Sequence, residues 1–454
     1  MKTSAFVSLV SLVLLTPVGA ERSLRVDYAD LPAALRHRWS TPAEFAAYIR
    51  RVETDTDRRL AEGEREHVIY YALQSATFTT RPRIEPAISG LAFVGTLSQP
   101  ERSRLVEDPS YLPAAGWPPA ERARVADLLN ALRKGPIDAR LAYFRELLLS
   151  GRGSPSVESL YPDYVRVARF LYRKELLSGG DAATVAQLYQ SRAHSSDTQI
   201  EAGFGVYLGL GTARALEPAL RMTRVLVVGP GLDLAPRTDL IDVAAPQSYQ
   251  PFAVADALVA LSLASERDLH IHSIDVKPRV VRFIEAVARE PVTLHVFTGM
   301  TETTEQPFSA DYRTYVRQFG RAIGDEVAPP RGIASDRRYQ HSIAVRPSFT
   351  RAMSAKRLNI ISERLADRGA FDLIVATNVL NYFDDRQLAL ALSNIAAMLR
   401  PGGLLLHNES RAGLVETADA VGLPPLQMRT AVIGGPAERP LYDAVWLHRK
   451  VRTP

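Results

Sequence analysis

The spacing of hydrophobic residues predicts helices throughout the first half of the chain. The first stripe follows a helix start signal at 41–44, with threonine as cap, proline in the first turn and glutamate reaching back to the cap. Proline and glycine at 109–119 and 151–155 separate the later stripes. We therefore predict an all-α region over residues 21–220. The apolar positions of three stripes are Phe45, Tyr48, Ile49 and Val52; Val125, Leu128, Leu129 and Leu132; and Tyr164, Ala168, Leu171 and Tyr172.

Beyond residue 220 the pattern changes to short β-rich runs that alternate with helical ones. This alternation predicts an α/β fold, with a doubly wound, mostly parallel sheet over 221–454. Two final runs, 430–433 and 444–447, predict a closing antiparallel hairpin. An arginine- and tyrosine-rich insertion at 299–356 interrupts the alternation, and its length suits a lid or a decorative helical pair equally. The β-rich runs lie at 224–228, 269–274, 292–297, 371–376 and 404–407.

The first twenty residues have the organisation of a secretory signal peptide. Lys2 precedes an apolar run of about 11 residues, and Val18 and Ala20 place small side chains at the −3 and −1 positions. We expect cleavage after Ala20 and export to the periplasm or medium. A misassigned start or signal would leave the chain cytoplasmic. The run is shorter than the roughly 20 apolar residues of a membrane-spanning helix, so we expect no transmembrane segment after cleavage.

Composition narrows the classes of partner and site. The 454 residues are 23% charged, and 55 basic against 50 acidic residues give a net charge of +5. Because charge is nearly balanced and no run of five like charges occurs, we expect no nucleic-acid partner. The chain has no cysteine, which excludes disulfides, thiolate metal sites and cysteine nucleophiles. Its nine histidines are scattered, so we expect no metal site.

Three segments lie where a doubly wound sheet binds ligands, beyond the carboxyl ends of its strands. The loop Gly229-Pro230-Gly231-Leu232 follows the first strand, and its glycines let the backbone approach a ligand closely. Asp275 ends the second strand, where a carboxylate can accept hydrogen bonds from ribose hydroxyls. Asn359-Ile360 precedes the FDLIVATN strand, and an amide beside an apolar side chain suits an adenine edge and face. These segments predict a nucleoside-binding site.

Other sites are disfavoured. A dinucleotide-binding G-x-G-x-x-G would need glycine at position 234, which is Leu234, and no phosphate-binding P-loop occurs. The stretch 194–197 (HSSD) reads as a polar turn rather than a hydrolase site, because G-x-S-x-G is absent. The glycines of 203–211 suit close packing of a helix against the sheet, although Glu201 beside them could reach the cofactor mouth.

Residues 224–450, about half of the chain, resemble a class I S-adenosylmethionine-dependent methyltransferase domain. The similarity is greatest over 371–410, which includes FDLIVATN and the post-helix RPGG turn. Residues 377–383 are also similar to a segment of the chemotaxis-type protein-glutamate methyltransferases, whose Asn-Leu pair Asn359-Ile360 matches. The resemblance implies the strand order 3-2-1-4-5-7-6 with the seventh strand antiparallel, and S-adenosylmethionine as cofactor. The implied cofactor contacts are Gly229, Pro230, Gly231, Leu232, Asp275, Asn359, Ile360 and Asn378.

The sequence departs from the family pattern around its first motif. Val227 replaces the acidic residue that precedes the first glycine by two positions, and Asp233 replaces the third glycine. Asp233 could compensate as a carboxylate near the methionine amino group. Thr377 stands where the chemotaxis-type segment has arginine. Residues 232–250 form an extra loop, which either covers the ligand or fills the site.

These residues predict a methyltransferase whose acceptor is a carboxylate or another oxygen or nitrogen atom. Tyr382, His407 and Glu409 are candidates to face the acceptor. S-adenosylmethionine is a cytosolic metabolite, which conflicts with an exported chain. The rival interpretation is therefore an exported, catalytically inactive ligand-binding or interaction module, and a second rival is a scaffold built on the helical half. An open cleft between residues 229–232, Asp275 and Asn359 would favour the enzyme. The oligomeric state stays open.

Overall fold

The computed structural model describes residues 22–136, 138–149, 155–234, 244–329 and 338–452. The predicted signal peptide and the middle of loop 232–250 lie outside the described residues. In the described part, no helix is both long and apolar enough to cross a membrane. The α-helices are α1 Ala33–Arg36, α2 Pro42–Gln74, α3 Gly90–Gly95, α4 Gln99–Glu107, α5 Pro119–Lys134, α6 Ala139–Leu149, α7 Val157–Tyr172, α8 Ala182–Ser191, α9 Glu201–Leu216, α10 Gln250–Ala260, α11 Pro278–Val287, α12 Ala310–Gln318, α13 Pro347–Arg351, α14 Asp385–Met398 and α15 Leu414–Ala420.

Seven of the strands form one large, mostly parallel sheet in the spatial order β11-β12-β10-β9-β2-β3-β7. β12 is antiparallel to both of its neighbours, and the other contacts in the sheet are parallel. The α/β fold class is therefore confirmed. The prediction that residues 21–220 are all-α was wrong at their start, because Ser23–Arg25 form a strand that pairs antiparallel with Glu363–Leu365 of the α/β half. The strands are β1 Ser23–Arg25, β2 Arg224–Val228, β3 His270–Asp275, β4 Thr293–Phe297, β5 Gly324–Val327, β6 Gln340–Val345, β7 Met353–Arg357, β8 Glu363–Leu365, β9 Phe371–Ala376, β10 Leu399–His407, β11 Pro425–Gly434 and β12 Leu441–Arg449.

The direction in which strands are added reverses between β2 and β9. From β2 the chain adds β3 and then β7 on one side, and it then crosses to add β9 and β10 on the other. The carboxyl ends of β2, β3 and β9 therefore meet at a topological switch point. Ligand-binding crevices of open α/β sheets lie at such points.

The placement of run 292–297 in the parallel sheet was wrong. β4 pairs antiparallel with β6 in a separate three-stranded sheet, and β6 also pairs with β5. The place beside β3 is taken by β7, which lies in the predicted insertion 299–356. In β4, buried Leu294 and Val296 alternate with half-buried Thr293 and His295. Such alternation is typical of a strand with one covered face, whereas central parallel strands are buried on both.

Helix α2 begins as predicted and contacts two hydrophobic cores. The Thr41 side chain accepts a hydrogen bond from the Glu44 N–H at 3.1 Å, as predicted for the cap. The Glu44 carboxylate accepts one from the Ser40 N–H at 2.7 Å, so it reaches the residue before the cap rather than the cap itself. Phe45 and Ile49, near its start, pack in one core with residues of β2 and β9. Residues 68–73, near its end, pack with α5, α6 and α7 in a core made of helices. The 33-residue helix therefore joins the helical region to the sheet.

Helix α9 covers the sheet face that carries Leu406 and Val445. A Cβ atom added at Gly209 would lie 2.8 Å from a methyl carbon of each of these side chains, so glycine is needed for this approach. This confirms close packing against the sheet at Gly209, whereas a Cβ atom at Gly211 would meet nothing within 4 Å. Glu201 is directed elsewhere: its carboxylate accepts hydrogen bonds from the Gly299 N–H at 2.6 Å and the Tyr312 hydroxyl at 2.7 Å.

Candidate functional site

A cavity of about 300 Å³ lies at the switch point. Its lining brings together residues that are far apart in the chain but follow successive strands. Pro230 and Leu232, also predicted to contact a cofactor, do not line the cavity; Leu232 is only 2% exposed and supports the loop from behind. The predicted site residues that do line it are Gly229, Gly231, Asp275, Asn359, Ile360, Asn378 and Tyr382.

The glycine loop has a conformation that only glycine adopts easily. Gly229 and Gly231 both have φ of 64°, in the left-handed region. A Cβ atom at Gly229 would lie 2.5 Å from a Val379 methyl carbon. At Gly231 it would lie 2.6 Å from the Ser196 carbonyl oxygen and still closer to the Thr198 hydroxyl oxygen. The loop is therefore enclosed by two different segments, and side chains are excluded at both positions.

Asp275 places a carboxylate at the end of β3. It lies on the side of the cavity that the carboxyl ends of the strands form, which we call the floor. Its Oδ1 accepts a hydrogen bond from the Lys277 N–H at 2.7 Å, and its Oδ2 accepts a longer one from the Gly231 N–H at 3.4 Å. Burial raises the pKa of this carboxyl to about 6, although the two backbone donors and the Lys277 charge oppose the shift. The group can therefore be protonated or ionised near neutral pH.

The two asparagines of the lining are held by neighbouring side chains. Asn359 donates through Nδ2 to the Thr56 hydroxyl at 3.2 Å, and its Oδ1 accepts from the Ile361 N–H at 3.0 Å. Asn378, which has φ of 58°, exchanges two hydrogen bonds of 2.8 Å with the Asn408 side chain. Both amides are consequently fixed in orientation at the edge of the cavity.

Of the three candidate acceptor-facing residues, only Tyr382 lines the cavity. Its hydroxyl accepts a hydrogen bond from the Ser195 N–H, and burial raises its pKa. His407 is fully buried within the sheet, where its ring stacks on His448 with centroids 4.9 Å apart and burial lowers its pKa far below the usual range. The Glu409 carboxylate accepts from the Arg411 N–H at 3.0 Å. Neither of these two residues lines the cavity.

The cavity is covered by the helical half of the chain, which the sequence did not indicate. Thr56 and Leu60 of α2, Tyr189 of α8 and Arg192 line it, together with residues 194–198, which we call the roof segment. The roof segment runs beside the glycine loop as a short parallel bridge. Leu232 N–H donates to the Ser196 carbonyl at 2.8 Å, and Thr198 N–H donates to the Leu232 carbonyl at 3.0 Å. The sequence feature that could have indicated this cover is the polar stretch 194–198, which lies directly before α9, the last helix before β2.

The described residues of the predicted insertion do not cover this cavity. Of residues 299–356, none that the structure describes belongs to the lining, and the described ends of loop 232–250 contribute none either. Tyr312 and Tyr315 of α12 are buried in the core on the α9 face of the sheet instead. The cleft is therefore not filled by any described residue of the extra loop.

Arg59 of α2 forms hydrogen bonds to three residues that line the cavity. This residue is 2% exposed, and its guanidinium donates to the carbonyls of Arg192 at 2.7 Å, Tyr189 at 3.2 Å and Tyr382 at 3.3 Å. Those three residues all line the cavity. One buried cation thus sets the relative positions of α2, the end of α8 and the segment after β9.

No family model matches the chain, and comparison with curated proteins finds no match. Among solved structures, it is similar to the N-methyltransferase NodS from Bradyrhizobium japonicum, crystallised with S-adenosyl-L-homocysteine. Identity is 16%, coverage is 54% of this chain and 87% of that one, and the TM-score is 0.27. It is also similar to a TehB-like SAM-dependent methyltransferase from Corynebacterium glutamicum, with 14% identity, coverage of 54% and 88%, and a TM-score of 0.25.

Proposed function

We propose that this chain is an S-adenosylmethionine-dependent methyltransferase acting on an oxygen or nitrogen acceptor, a carboxylate among them. The observation that carries the proposal is the meeting of Gly229, Gly231, Asp275, Asn359 and Asn378 in one cavity at the switch point. The sheet supports it too. Numbered along the chain, strands β2, β3, β7, β9, β10, β11 and β12 lie in the order 3-2-1-4-5-7-6 that the methyltransferase resemblance implies.

The residues of the cavity fit such a cofactor. The positive φ angles of the two glycines leave bare backbone where a ligand can approach, and Asp275 offers acceptors for ribose hydroxyls. Ile360 offers an apolar surface to a base. When bound, S-adenosylmethionine supplies an electrophilic sulfonium methyl group. The roof segment would exclude water from the cavity and hold the reactants together, which is the main contribution such a site makes to the rate.

Tyr382 would act as a hydrogen-bond donor rather than as a base. Burial raises the pKa of its hydroxyl, so the group stays protonated at neutral pH. A carboxylate acceptor is already ionised and needs no base, which suits a cavity lined by a protonated tyrosine. Together with Asn378, Tyr382 lines the part of the cavity that follows β9, where we place the acceptor.

Calorimetric titration of S-adenosylmethionine into the chain from Glu21 tests the proposal. We expect a dissociation constant on the order of micromolar, and its loss on Asp275→Ala, because the variant removes the ribose acceptor. Asp268→Ala is the matched control, since that exposed carboxylate contacts only Ser265 among the described side chains. The absence of heat at millimolar ligand, with a normal thermal unfolding transition, would contradict the proposal. An exported module without methyltransferase chemistry would then be the remaining interpretation.

The affinity for S-adenosylhomocysteine should depend on pH through Asp275. Its pKa in the folded chain is about 6, above the usual 3.8. Protonation therefore favours the folded state, and this stabilisation is lost as the pH rises from 4 through 6. Ribose binding needs the ionised form, so affinity should fall about tenfold between pH 7 and pH 5. Calorimetry at both pH values measures this, and Asp275→Asn should abolish the pH dependence. An equal pH dependence in the variant would exclude Asp275 as its source.

We further propose that the chain is exported, on the basis of the signal-like residues 1–20. Fractionation of cells expressing the full chain, with N-terminal sequencing of the product, tests this. A mature N-terminus at Glu21 in the exported fraction is the expected result. An intact Met1 in the cytosol would contradict export. The chain would then be in the same compartment as its proposed cofactor.

A further inference from the structure

We propose that Arg192, a residue of the helical half that lines the cavity, binds a carboxylate group of the reactants. This inference rests on the proposed function and deepens it by naming the chemistry of a ligand group. The methyl acceptor and the methionine part of S-adenosylmethionine are two sources of a carboxylate, and the experiment below distinguishes them. Among the described residues of the lining, Arg192 carries the cationic side chain, since burial lowers the pKa of His194 to about 3.

The Arg192 guanidinium makes no hydrogen bond to any residue that the structure describes. Its Nε atom is buried without a partner, and the side chain as a whole is 18% exposed. The carboxylate paired with it is that of Glu66, whose Oε2 lies 3.7 Å from Nη2, beyond the range of a hydrogen bond. Leaving the N–H donors of a guanidinium unpaired in a largely buried position costs free energy. Such an arginine therefore indicates a missing anionic partner.

The ion pairs around Glu66 leave one positive charge in excess. Glu66 accepts a hydrogen bond from Arg166 at 2.9 Å, and Arg166 also donates to Asp163 at 2.7 Å. Asp163 accepts another from Arg65 at 2.9 Å. Within this cluster, two buried carboxylates therefore face three guanidinium groups, and the carboxylates are already hydrogen-bonded to the other two. A carboxylate bound by Arg192 would balance the charge of the cluster.

Aromatic rings and a backbone hydrogen bond hold Arg192 in place. Its guanidinium carbon lies 4.3 Å from the ring centroid of Phe170 and 6.0 Å from that of Tyr189. Its carbonyl oxygen accepts a hydrogen bond from the Arg59 side chain at 2.7 Å. An arginine that lies over a ring can still donate from the edge of its plane, where a carboxylate accepts two parallel hydrogen bonds. The position of the guanidinium is therefore set before any ligand binds.

The surroundings of Arg192 favour the acceptor as the source of the carboxylate. The Tyr189 ring, which lies over against the guanidinium, also contacts the Tyr382 ring edge-to-face, with centroids 6.2 Å apart. The charge of Arg192 opposes the rise that burial causes in the Tyr382 pKa, as expected for neighbouring groups. Tyr382 lines the part of the cavity where we place the acceptor. The acceptor should therefore carry a carboxylate, either as the methylated group or beside it.

Calorimetric titration with four probes tests the assignment. S-adenosylhomocysteine carries a carboxylate, and 5′-methylthioadenosine retains adenine, ribose and sulfur without it. Benzoate and its neutral counterpart benzamide stand for the acceptor and are titrated with and without saturating S-adenosylhomocysteine. For Arg192→Met we expect the affinity for benzoate to fall about tenfold to a hundredfold, because a charge-assisted pair of hydrogen bonds is lost. The affinities for benzamide and 5′-methylthioadenosine should stay within about twofold.

Two further variants separate the binding role from folding. Arg58→Met is the matched control, because the Arg58 side chain is 55% exposed on the surface of α2, and it should bind all four probes normally. Arg192→Lys keeps the charge opposite Glu66 but loses the planar fork of donors. It should fold normally and still weaken benzoate binding about threefold to tenfold, since one of two parallel hydrogen bonds is lost.

Each outcome decides between the two sources or rejects the assignment. Weaker binding of S-adenosylhomocysteine by Arg192→Met, with 5′-methylthioadenosine and benzoate unchanged, would assign the bound carboxylate to the cofactor. If neither carboxylate ligand depends on Arg192, or if the neutral probes are weakened equally, the assignment is wrong while the proposed function stands. If the unsubstituted chain binds neither nucleoside, the proposed function fails. Benzoate binding that depends on Arg192 would in that case still establish an anion site.

Discussion

Gly231→Ala is expected to weaken the binding of S-adenosylhomocysteine more than a hundredfold and to lower the free energy of unfolding by about 2–4 kcal/mol. The φ of 64° at this position is unfavourable for alanine by about 1–2 kcal/mol. In addition, the new Cβ atom would strike the Ser196 carbonyl and the Thr198 hydroxyl. Because one of these is backbone, the roof segment itself must move. Calorimetric titration and urea denaturation measure the two effects.

Gly211→Ala is the matched control for the same change of side chain. Gly211 lies in α9, and a Cβ atom there would meet nothing within 4 Å. The control should keep the affinity unchanged and raise the free energy of unfolding by about 0.5–1 kcal/mol, since alanine favours helix over glycine. Normal ligand binding by Gly231→Ala would show that the roof segment does not rest on this glycine in solution.

Arg59→Met should lower the free energy of unfolding by about 3–5 kcal/mol and abolish ligand binding. The substitution keeps most of the side-chain volume but removes the donors to the carbonyls of Tyr189, Arg192 and Tyr382. Buried carbonyls without a donor each cost about 1–3 kcal/mol. Because these three residues line the cavity, their displacement should also change its shape and prevent ligand binding. Urea denaturation with a ligand titration checks both consequences.

Arg58→Met is the control on the adjacent residue of α2. The Arg58 side chain is 55% exposed and pairs with Asp55 at 2.6 Å and Glu62 at 2.7 Å on the helix surface. Exposed pairs of this kind contribute about 0–1 kcal/mol, so this variant should bind ligand normally and unfold almost like the unsubstituted chain. Equal effects of the two substitutions would mean that the loss of positive charge, rather than the buried hydrogen bonds, is what matters.

The floor of the site could be predicted because its residues belong to local patterns. Gly229 and Gly231 lie in the loop after β2, Asp275 ends β3, and parallel strands bring their carboxyl ends to one edge. Asn359 was found as an amide beside the apolar Ile360, and Asn378 through the resemblance of the segment around it. His407 ends β10 and Glu409 follows it, yet neither residue lines the cavity. In β10, His407 is covered from β12 by Trp446 and His448, a contact between residues far apart in the chain.

The strand that lies beside β3 at the edge of the sheet could not be assigned from the alternation of strands and helices along the chain alone. The run 292–297 is rich in apolar and β-branched residues, whereas β7 has the sequence MSAKR with two basic residues, so the sequence favoured β4 for the place beside β3. That choice depends on which pairing buries more apolar surface once all elements are present. The available sequence signal was the alternation of polar Thr293 and His295 with apolar Leu294 and Val296, which is typical of a strand with one covered face.

By itself, the sequence determined that a series of helices precedes the α/β sheet, where α2 begins, and seven of the residues that line the cavity. These features depend on periodicity, caps and residues at strand ends, which act over a few neighbouring positions. Only the tertiary structure decided that α2 packs on both cores and that residues 194–198 cover the glycine loop. Those contacts join residues more than 30 positions apart. Hydrophobic burial selects among such contacts, and it acts between residues at any separation along the chain.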